Sequence, residues 1–204
     1  MAFIETVPVA EATGEVEEIY RSNQHDWGFV PNYVKLYSRR PGVLKGWGGL
    51  SGAIQRNMDG RRYELATLAA ARALRSSYCM LAHGARLAEQ YATTEEAAAI
   101  CGDFRTARLS DAEVAVMAYA EKIARDATSV TQEDIDGLRR HGLTDDEIFD
   151  VAATAAARCF FSKMIDALGA PPDARLGEID PAFRDALVVG RGISGEAVEV
   201  LGDA

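Results

Sequence analysis

The spacing of apolar residues along the chain predicts helices and gives no support for strands. Apolar side chains recur at intervals of three and four residues, which places them on one helix face, and no stretch alternates as a half-buried strand does. Gly142 and Gly169 follow apolar runs, at points where helices end in a left-handed residue. Helix starts are marked by Ser/Thr-x-x-Glu patterns, in which hydroxyl and carboxylate satisfy unpaired N–H groups of the first turn: Thr93/Glu96, Ser110/Glu113 and Thr144/Glu147.

Together these signals predict helices joined by short connections, as in a compact bundle. We expect one all-helical domain over residues 1–204, because a chain of 204 residues lies near the usual size of one large domain. About twelve residues at each end would be peripheral, and the Gly-rich, acidic segment 193–204 would fray or reach a neighbouring subunit. The small residues of Ala152–Ala157 predict a helix that packs closely at the centre. The predicted helices span 13–22, 31–39, 41–56, 60–73, 77–91, 94–103, 111–127, 132–141, 145–168 and 182–189.

Charge and cysteine content narrow the partners and the compartment. Acidic residues outnumber basic ones by 31 to 22, so the net charge is −9, which disfavours binding to nucleic acid or an anionic membrane. No apolar run approaches the ~20 residues that a membrane-spanning helix needs. The three cysteines cannot all pair within the chain, and no signal-peptide pattern is present. We therefore expect a cytoplasmic protein without a disulfide framework.

The segment from Ser76 to His83 carries the residue types of an activated thiol. Cys79 and His83 are four residues apart, so on a helix they lie about 40° apart on one face. Ser76 or Ser77 can cap this helix, which places Cys79 in or near a first turn whose free N–H groups favour an anion. Because the thiolate is the reactive form and a neighbouring base activates it, the pattern makes Cys79 a candidate nucleophile and His83 its candidate base.

Glu64 can join this pair only if the chain reverses before Cys79. In one straight helix, fifteen residues at 1.5 Å each would hold Glu64 about 22 Å from Cys79. The serine pair and the arginines within 72–77 indicate a helix break near 74–77. With a reversal there, Glu64 on one helix would face His83 on the next, where it could orient the ring or pass a proton.

Other interpretations of these residues stay open. A lone cysteine on an Ala-rich helix is more often a buried small hydrophobe than a nucleophile. Thiolate, imidazole and carboxylate are also zinc ligands, although only one Cys and one His lie close together in this sequence. Cys101 and Cys159 have the surroundings of core thiols, His25 is expected in a surface loop, and His141 is expected at a helix end.

A second group of residues repeats part of this spacing. Positions 76, 79 and 83 follow Glu64 at offsets of 12, 15 and 19, and the same offsets from Glu147 give Cys159, Ser162 and Asp166. An internally duplicated helical unit would explain the match. Chance agreement between Ala-rich helices would explain it equally well.

Two runs, Arg62–Ala69 and Tyr78–Gly84, resemble the alkylhydroperoxidase D-like / carboxymuconolactone decarboxylase superfamily, whose pattern is E-x11-C-x2-C-x3-H. Glu64, position 76, Cys79 and His83 fit that spacing throughout. The resemblance covers nearly the whole chain and is best with the peroxidase-related branch. Further segments resemble the family's "ATGE" opening, its "VPN" segment and its C-terminal helix pair: Ala12–Val16, Phe29–Tyr33, Leu143–Glu147 and Asp166–Gly169.

This resemblance implies an alkylhydroperoxidase D-like helical bundle that forms a homo-oligomer and needs no metal or organic cofactor. Peroxidase members of the family use two cysteines: one thiolate attacks the hydroperoxide and becomes a sulfenic acid, the second closes a disulfide, and a partner dithiol regenerates both. Carried over to this chain, Cys79 is the thiol nearest the base, His83 is the base and Glu64 is its partner in proton transfer.

Position 76 departs from the family pattern, because Ser76 stands where the family has its first cysteine. A hydroxyl cannot resolve a sulfenic acid to a disulfide. Cys79 would then use an external thiol, or Cys101 or Cys159 would resolve it, or the redox activity is lost. Tyr78, directly before Cys79, offers either a phenolic proton donor or a packing aromatic ring.

Three functions therefore compete. The first is a thiol-dependent, antioxidant peroxidase that acts on hydroperoxides with an external thiol reductant. The second is a carboxymuconolactone decarboxylase-like enzyme that uses His83 and Glu64 on a lactone or small organic acid, held by Arg72, Arg75 or Arg86. The third is a catalytically inactive helical oligomer or binding protein. A Cys79 sulfur close to a His83 nitrogen in an open pocket would favour an enzyme, and a sealed Cys79 the third function.

Overall fold

The protein, represented by a computed structural model that describes residues 2–202, is built mainly of helices joined by short connections. Its described part contains ten α-helices and no named strand, so the predicted all-α class and helical bundle are confirmed. The helices are α1 Gly14–Trp27, α2 Asn32–Tyr37, α3 Pro41–Gln55, α4 Gly60–Ala73, α5 Ser77–Gln90, α6 Thr94–Asp103, α7 Asp111–Asp126, α8 Gln132–Arg140, α9 Asp145–Ala167 and α10 Pro181–Leu187.

Helix ends follow the local chemistry that the sequence indicated. The three predicted capping boxes form at the starts of α6, α7 and α9. Gly142 and Gly169 adopt φ of 88° and 81°, the left-handed conformation expected after a helix. α1 is longer than predicted, because its polar residues continue the helix until Gly28, at φ 77°, ends it. His25 is exposed in the last turn of α1, so its predicted loop position is wrong.

The centre of the fold is α4, which packs against α5, α7 and α9. All nine residues from Tyr63 to Ala71 are buried, and four of them are alanines. Small side chains allow the neighbouring helices to approach closely, and they leave little room for a polar group without a partner. Glu64 is nevertheless among these buried residues, so its carboxylate must be satisfied from within the protein.

The chain reverses between α4 and α5, as the position of Glu64 required. Arg75 adopts φ 57°, a left-handed conformation that is costly for a residue with a Cβ. The Ser76 amide bonds to the Ala71 carbonyl at 3.0 Å, which closes the end of α4 before α5 begins. Gly190 covers this turn, and a Cβ added to it would lie 2.0 Å from the Arg75 carbonyl oxygen, so only glycine fits there.

Helix α9 does not repeat the backbone of α4 and α5. It runs unbroken from Asp145 to Ala167, whereas the segment with the matching residue offsets is split by the reversal near Arg75. The repeated spacing therefore has no repeated structure at these positions. The predicted central placement of Ala152–Ala157 holds for one face only, since Ala155 and Ala157 are buried but Ala156 is exposed.

The C-terminal segment lies against its own chain rather than fraying over the described residues. Val30 and Glu199 form an isolated antiparallel bridge, and the Leu201 amide donates to Gln24 Oε1 at 2.5 Å. Residues 1, 203 and 204, which belong to the predicted peripheral ends, lie outside the described residues. Within the described range, no helix is both long and apolar enough to cross a membrane.

Candidate active site

The buried Glu64 and the half-buried His83 form a pair that joins α4 to α5. His83 Nδ1 lies 2.7 Å from Glu64 Oε2. Because a carboxylate only accepts hydrogen bonds, the neutral ring donates from Nδ1 and leaves Nε2 as an acceptor. The Arg86 guanidinium lies 3.8 Å from the other carboxylate oxygen, Oε1. The reversal near 74–77 thus produces the predicted Glu64–His83 contact.

The surroundings of His83 favour its neutral form. Burial lowers the pKa of His83, and the positive charges of Arg158 and Arg86 act in the same direction. Glu64 opposes them through its charge and its hydrogen bond, but the net pKa stays below the ordinary value of 6.5. An imidazole that remains neutral near pH 7 can accept a proton at Nε2, which is what a general base must do.

Cys79 lies in the first turn of α5, as expected, with the side chain only 1% exposed. Its Sγ accepts a hydrogen bond from Ser162 Oγ at 3.1 Å and lies 3.7 Å from Nη1 of Arg158. Both partners come from α9. Among residues 2–202, no hydrogen bond joins Cys79 to His83, so the hydrogen bond that we expected between them is absent.

Arg158 is the functional candidate that the sequence analysis missed. Its side chain is 3% exposed, and its Nη2 lies 3.4 Å from the Tyr63 hydroxyl. Within the described range, no carboxylate lies within ion-pair distance of the guanidinium, and Nε has no hydrogen-bond partner. The guanidinium also lies 5.5 Å from the ring centroids of Trp47 and of Phe161.

The charge of Arg158 is retained despite this burial. Burial by itself lowers the pKa of the guanidinium, but Cys79 and Tyr63 more than offset it, and the pKa lies above the ordinary value. A buried cation is costly unless an anion or several acceptors surround it. The available sequence signal was an arginine directly after the small-residue run Ala152–Ala157, on a helix predicted to be central.

The Tyr78 ring lines the cavity, but its hydroxyl is engaged elsewhere. It makes a short hydrogen bond to Asp173 Oδ2 and accepts one from the Tyr33 amide at 3.4 Å. Burial, and then the charge of Asp173, raise the pKa of Tyr78 well above its ordinary value. Since the proton is held by Asp173, Tyr78 fits a packing and positioning residue better than a free phenolic donor.

Ser76 is completely buried at the N-cap of α5 and is not among the residues that line the cavity beside Cys79. Its hydroxyl faces the Asp166 carboxyl but makes no hydrogen bond of normal geometry within residues 2–202. The helix cap that was expected from a serine side chain is also absent there, since no Ser76 side-chain bond caps α5.

A cavity of about 650 Å³ opens onto Cys79 and His83. Arg86, which is 47% exposed, and Lys45 lie on its solvent side. Glu64 lies behind His83 and does not line this space. The aromatic residues of the wall are Trp27, Tyr33, Trp47, Tyr63, Tyr78 and Phe161.

Several residues expected near the site lie elsewhere. The Arg72 guanidinium bonds to the Cys101 backbone carbonyl at 2.5 Å, and Arg75 bonds to the Val189 carbonyl at 3.3 Å, so neither supplies a cation to the cavity. Cys101 and Cys159 are also absent from the described residues that line it. Over residues 2–202, no group of three His, Cys, Asp or Glu side chains is placed to hold a metal ion.

Residues 41–122 match the family model described as the Carboxymuconolactone decarboxylase family. This stretch extends from the start of α3 into α7 and includes Glu64, Cys79 and His83. No curated protein sequence matches the chain.

Solved structures share the helical fold at low sequence identity. A peroxidase-related protein from Ralstonia eutropha JMP134, described as an alkylhydroperoxidase AhpD core, is 23% identical, with a TM-score of 0.77 over 86% of this chain and 94% of that one. A peroxidase-related protein from Silicibacter sp. TM1040 is 20% identical, with a TM-score of 0.77 over 87% and 94%. The debrominase Bmp8 is 19% identical, with a TM-score of 0.66 over 85% and 90%.

Proposed function

We propose that the chain is a member of the alkylhydroperoxidase D-like / carboxymuconolactone decarboxylase superfamily, whose family model matches residues 41–122, and that it is a peroxidase-related enzyme that reduces organic hydroperoxides at Cys79. One observation carries this proposal. The Cys79 sulfur lies 3.7 Å from a buried guanidinium that has no carboxylate partner among the described residues, and it accepts a hydrogen bond from Ser162. A cation and a donor placed on a sulfur atom favour the thiolate, which is the attacking form.

In the first step, the Cys79 proton reaches His83 Nε2 through the bound hydroperoxide or a bridging water, because no hydrogen bond joins the two side chains among the described residues. The sulfur then attacks the terminal oxygen of the hydroperoxide. The S–O bond forms as the O–O bond breaks, so sulfur loses two electrons and the peroxide gains them. The leaving alkoxide takes the proton back from His83, which yields Cys79 sulfenic acid and an alcohol. Glu64 stabilises the imidazolium between the two transfers, because its Oε2 accepts a hydrogen bond from Nδ1, 2.7 Å away.

An external thiol completes the cycle. It attacks the sulfenic acid to give a mixed disulfide and water, and a second thiol releases Cys79 and leaves as a disulfide. Ser76 cannot take this role, and the two other cysteines lie away from the cavity lining. The cycle is therefore that of a one-cysteine peroxidase. The external reductant, a homo-oligomeric assembly and a cytoplasmic location remain predictions.

Acid–base turnover of an anionic lactone is a second candidate, which the positions of two cations favour. Arg86 and Arg158 both line the cavity that contains His83, where either could hold a carboxylate. In that reaction Cys79 would only fill space, and the His83–Glu64 pair would move the proton. Cys79→Ala would then leave lactone turnover intact, whereas it would abolish peroxide reduction.

The deciding experiment follows hydroperoxide consumption with dithiothreitol as reductant. We expect turnover by the natural protein and by Cys101→Ala, and none above background by Cys79→Ala. Equal activity of the two variants would contradict the proposal. Absence of both peroxide and lactone turnover in the natural protein would favour the binding protein instead.

A further inference from the structure

The wall of the cavity beside Cys79 is a continuous series of aromatic rings. Trp47 stacks on Phe161 with 4.7 Å between ring centroids, and Phe161 meets the edge of Tyr33 at 5.4 Å. Tyr33 in turn contacts Trp27 at 6.4 Å and Tyr78 at 5.7 Å. All five rings line the same space as the Cys79 sulfur, so a molecule that reaches the sulfur also meets this wall.

The cavity is far larger than hydrogen peroxide requires. It encloses about 650 Å³, whereas benzene fits a cavity of about 150 Å³ and a water molecule occupies about 30 Å³. A peroxide of two oxygen atoms would leave most of the wall wet, and hydration of exposed aromatic faces is unfavourable. Size therefore favours an organic hydroperoxide with a bulky substituent.

Arg158 and the rings favour an aromatic substituent over an aliphatic chain. Aromatic pairs gain an edge-to-face or offset-stacked attraction that an alkyl chain lacks. The Arg158 guanidinium lies 5.5 Å from the Trp47 and Phe161 ring centroids, a position in which a cation and a π face attract each other. A substrate ring placed against this wall would engage the same cation while its peroxide faces the sulfur.

Helix α3 leaves open the space in front of this wall. Gly48 lies near the middle of its cavity-lining face, whose residues follow a helical period: Leu44, Lys45, Trp47, Gly48, Ser51, Gly52 and Gln55. A Cβ built on Gly48 meets no atom within 4 Å. The position could therefore carry a side chain, and its absence keeps the volume beside Trp47 free.

We propose that the substrate is an aryl hydroperoxide, with its ring between Gly48 and the aromatic wall and its peroxide group at Cys79. This assignment of the substrate class rests on the proposed peroxidase function. It makes Trp47 and Gly48 determinants of specificity, distinct from the groups that carry out the chemistry.

The test compares kcat/KM for cumene hydroperoxide, tert-butyl hydroperoxide, a linear fatty-acyl hydroperoxide and hydrogen peroxide. We expect the natural protein to prefer cumene hydroperoxide over tert-butyl hydroperoxide by about tenfold, the gain of one or two aromatic contacts. Gly48→Leu should lower the ratio of cumene hydroperoxide to hydrogen peroxide turnover by a similar factor. Gly49→Leu is the matched control, since both glycines lie on the same helix, are exposed and meet no atom within 4 Å, but only Gly48 lines the cavity.

Two results of this assay would overturn the assignment. One is equal use of cumene and tert-butyl hydroperoxide or faster use of the fatty-acyl hydroperoxide, and the other is an equal change of the ratio in both glycine variants. A glycine-to-leucine change in a helix removes a conformational cost, so neither variant is expected to lose its fold.

A binding measurement separates failure of this assignment from failure of the peroxidase function. Both tryptophans of the chain, Trp27 and Trp47, line the cavity, so their fluorescence reports occupancy directly. In Cys79→Ser, which cannot turn over, 2-phenyl-2-propanol should bind about tenfold more tightly than tert-butanol, and Gly48→Leu should remove that difference. Equal binding of the two alcohols would overturn the aryl assignment, whereas tighter aryl binding without any peroxide turnover would contradict only the proposed reaction.

Discussion

Two cysteines of this protein are equally buried and have an arginine nearby, yet their environments differ chemically. Cys79 and Cys101 are each 1% exposed. Nη1 of Arg158 contacts the Cys79 sulfur, whereas Nη1 of Arg72 donates a hydrogen bond to the backbone carbonyl of Cys101. Burial raises the pKa of Cys101 to about 12, although Arg72 lowers it in part. Burial alone therefore says little about reactivity, and what matters is whether polar groups and an open cavity meet the sulfur.

The largest effect on hydroperoxide turnover should come from replacing each of the two cysteines with alanine in turn. Cys79→Ala should reduce hydroperoxide turnover to background, because no other described cysteine lines the cavity. Cys101→Ala should keep nearly full turnover, since its sulfur is packed in the core away from that space. Both are measured as peroxide consumption with an external dithiol. A large loss in Cys101→Ala, with its fold intact by circular dichroism, would break the distinction between the two sites.

The two arginines provide the next comparison. Arg158→Met should slow oxidation of Cys79 by roughly tenfold to hundredfold, the usual worth of a hydrogen bond to a charged group. Arg72→Met should leave that rate nearly unchanged, because its guanidinium bonds to a carbonyl oxygen. Stopped-flow measurement of the first oxidation step gives both rates. Folding should tolerate Arg158→Met, since the residue is a buried cation without a carboxylate partner among the described residues.

A smaller effect is expected in the pH dependence of His83. Burial and Arg158 lower the His83 pKa and Glu64 raises it, so Glu64→Gln should lower the pKa further and Arg158→Met should raise it. Since His83 acts as the neutral base, the acid limb of kcat/KM should move to lower pH in the first variant and to higher pH in the second. Shifts in the same direction would show that another group controls the limb.

The same His83 shift has a consequence for stability. A histidine whose pKa is lower in the folded protein than in the unfolded chain binds its proton more readily when unfolded. Its contribution to the free energy of unfolding is therefore fully present above pH 6.5. Stability should fall as pH drops below 6.5 until His83 protonates in the folded protein as well. His83→Gln should flatten this part of the urea-unfolding profile, and an unchanged profile would contradict the assignment to His83.

The smallest effect should come from Ser162→Ala. The Ser162 hydroxyl donates to the Cys79 sulfur at 3.1 Å, and its removal should slow oxidation of Cys79 about fivefold, as one hydrogen bond of average strength would. Ser129→Ala is the control, because Ser129 is exposed and does not line the cavity beside Cys79. A rate in Ser162→Ala equal to that of the natural protein would mean that Arg158 alone determines the reactivity of the thiol.

Local sequence patterns made two features predictable: the helical fold and the Glu64–His83 pair of the site. Capping patterns and apolar spacing located the helices closely, and the reversal required by Glu64 and His83 is present. The partners of Cys79 were not predictable in the same way, because Arg158 and Ser162 lie 79 and 83 residues further along the chain. Helical periodicity identifies which face of α9 is buried, but it does not say which helix that face meets.

The end of α1 and the aromatic wall show the same limit. Polar residues after position 22 were compatible with a loop, and only packing against the rest of the chain keeps them helical as far as Trp27. The rings of Trp27, Tyr33, Trp47 and Phe161 come from four different helices, the last of them more than 100 residues after the others. Their convergence on Cys79 is a property of the tertiary structure.

Identification of the oxidised cysteine tests the central claim most directly. The protein is treated with less than one equivalent of cumene hydroperoxide, sulfenic acid is trapped with dimedone, and each cysteine-containing peptide is quantified by mass spectrometry. The account predicts the adduct on Cys79, with Cys101 and Cys159 unmodified, and a strongly reduced yield in Arg158→Met at the same early time. An unmodified Cys79, with the adduct on Cys159 or Cys101, would contradict it.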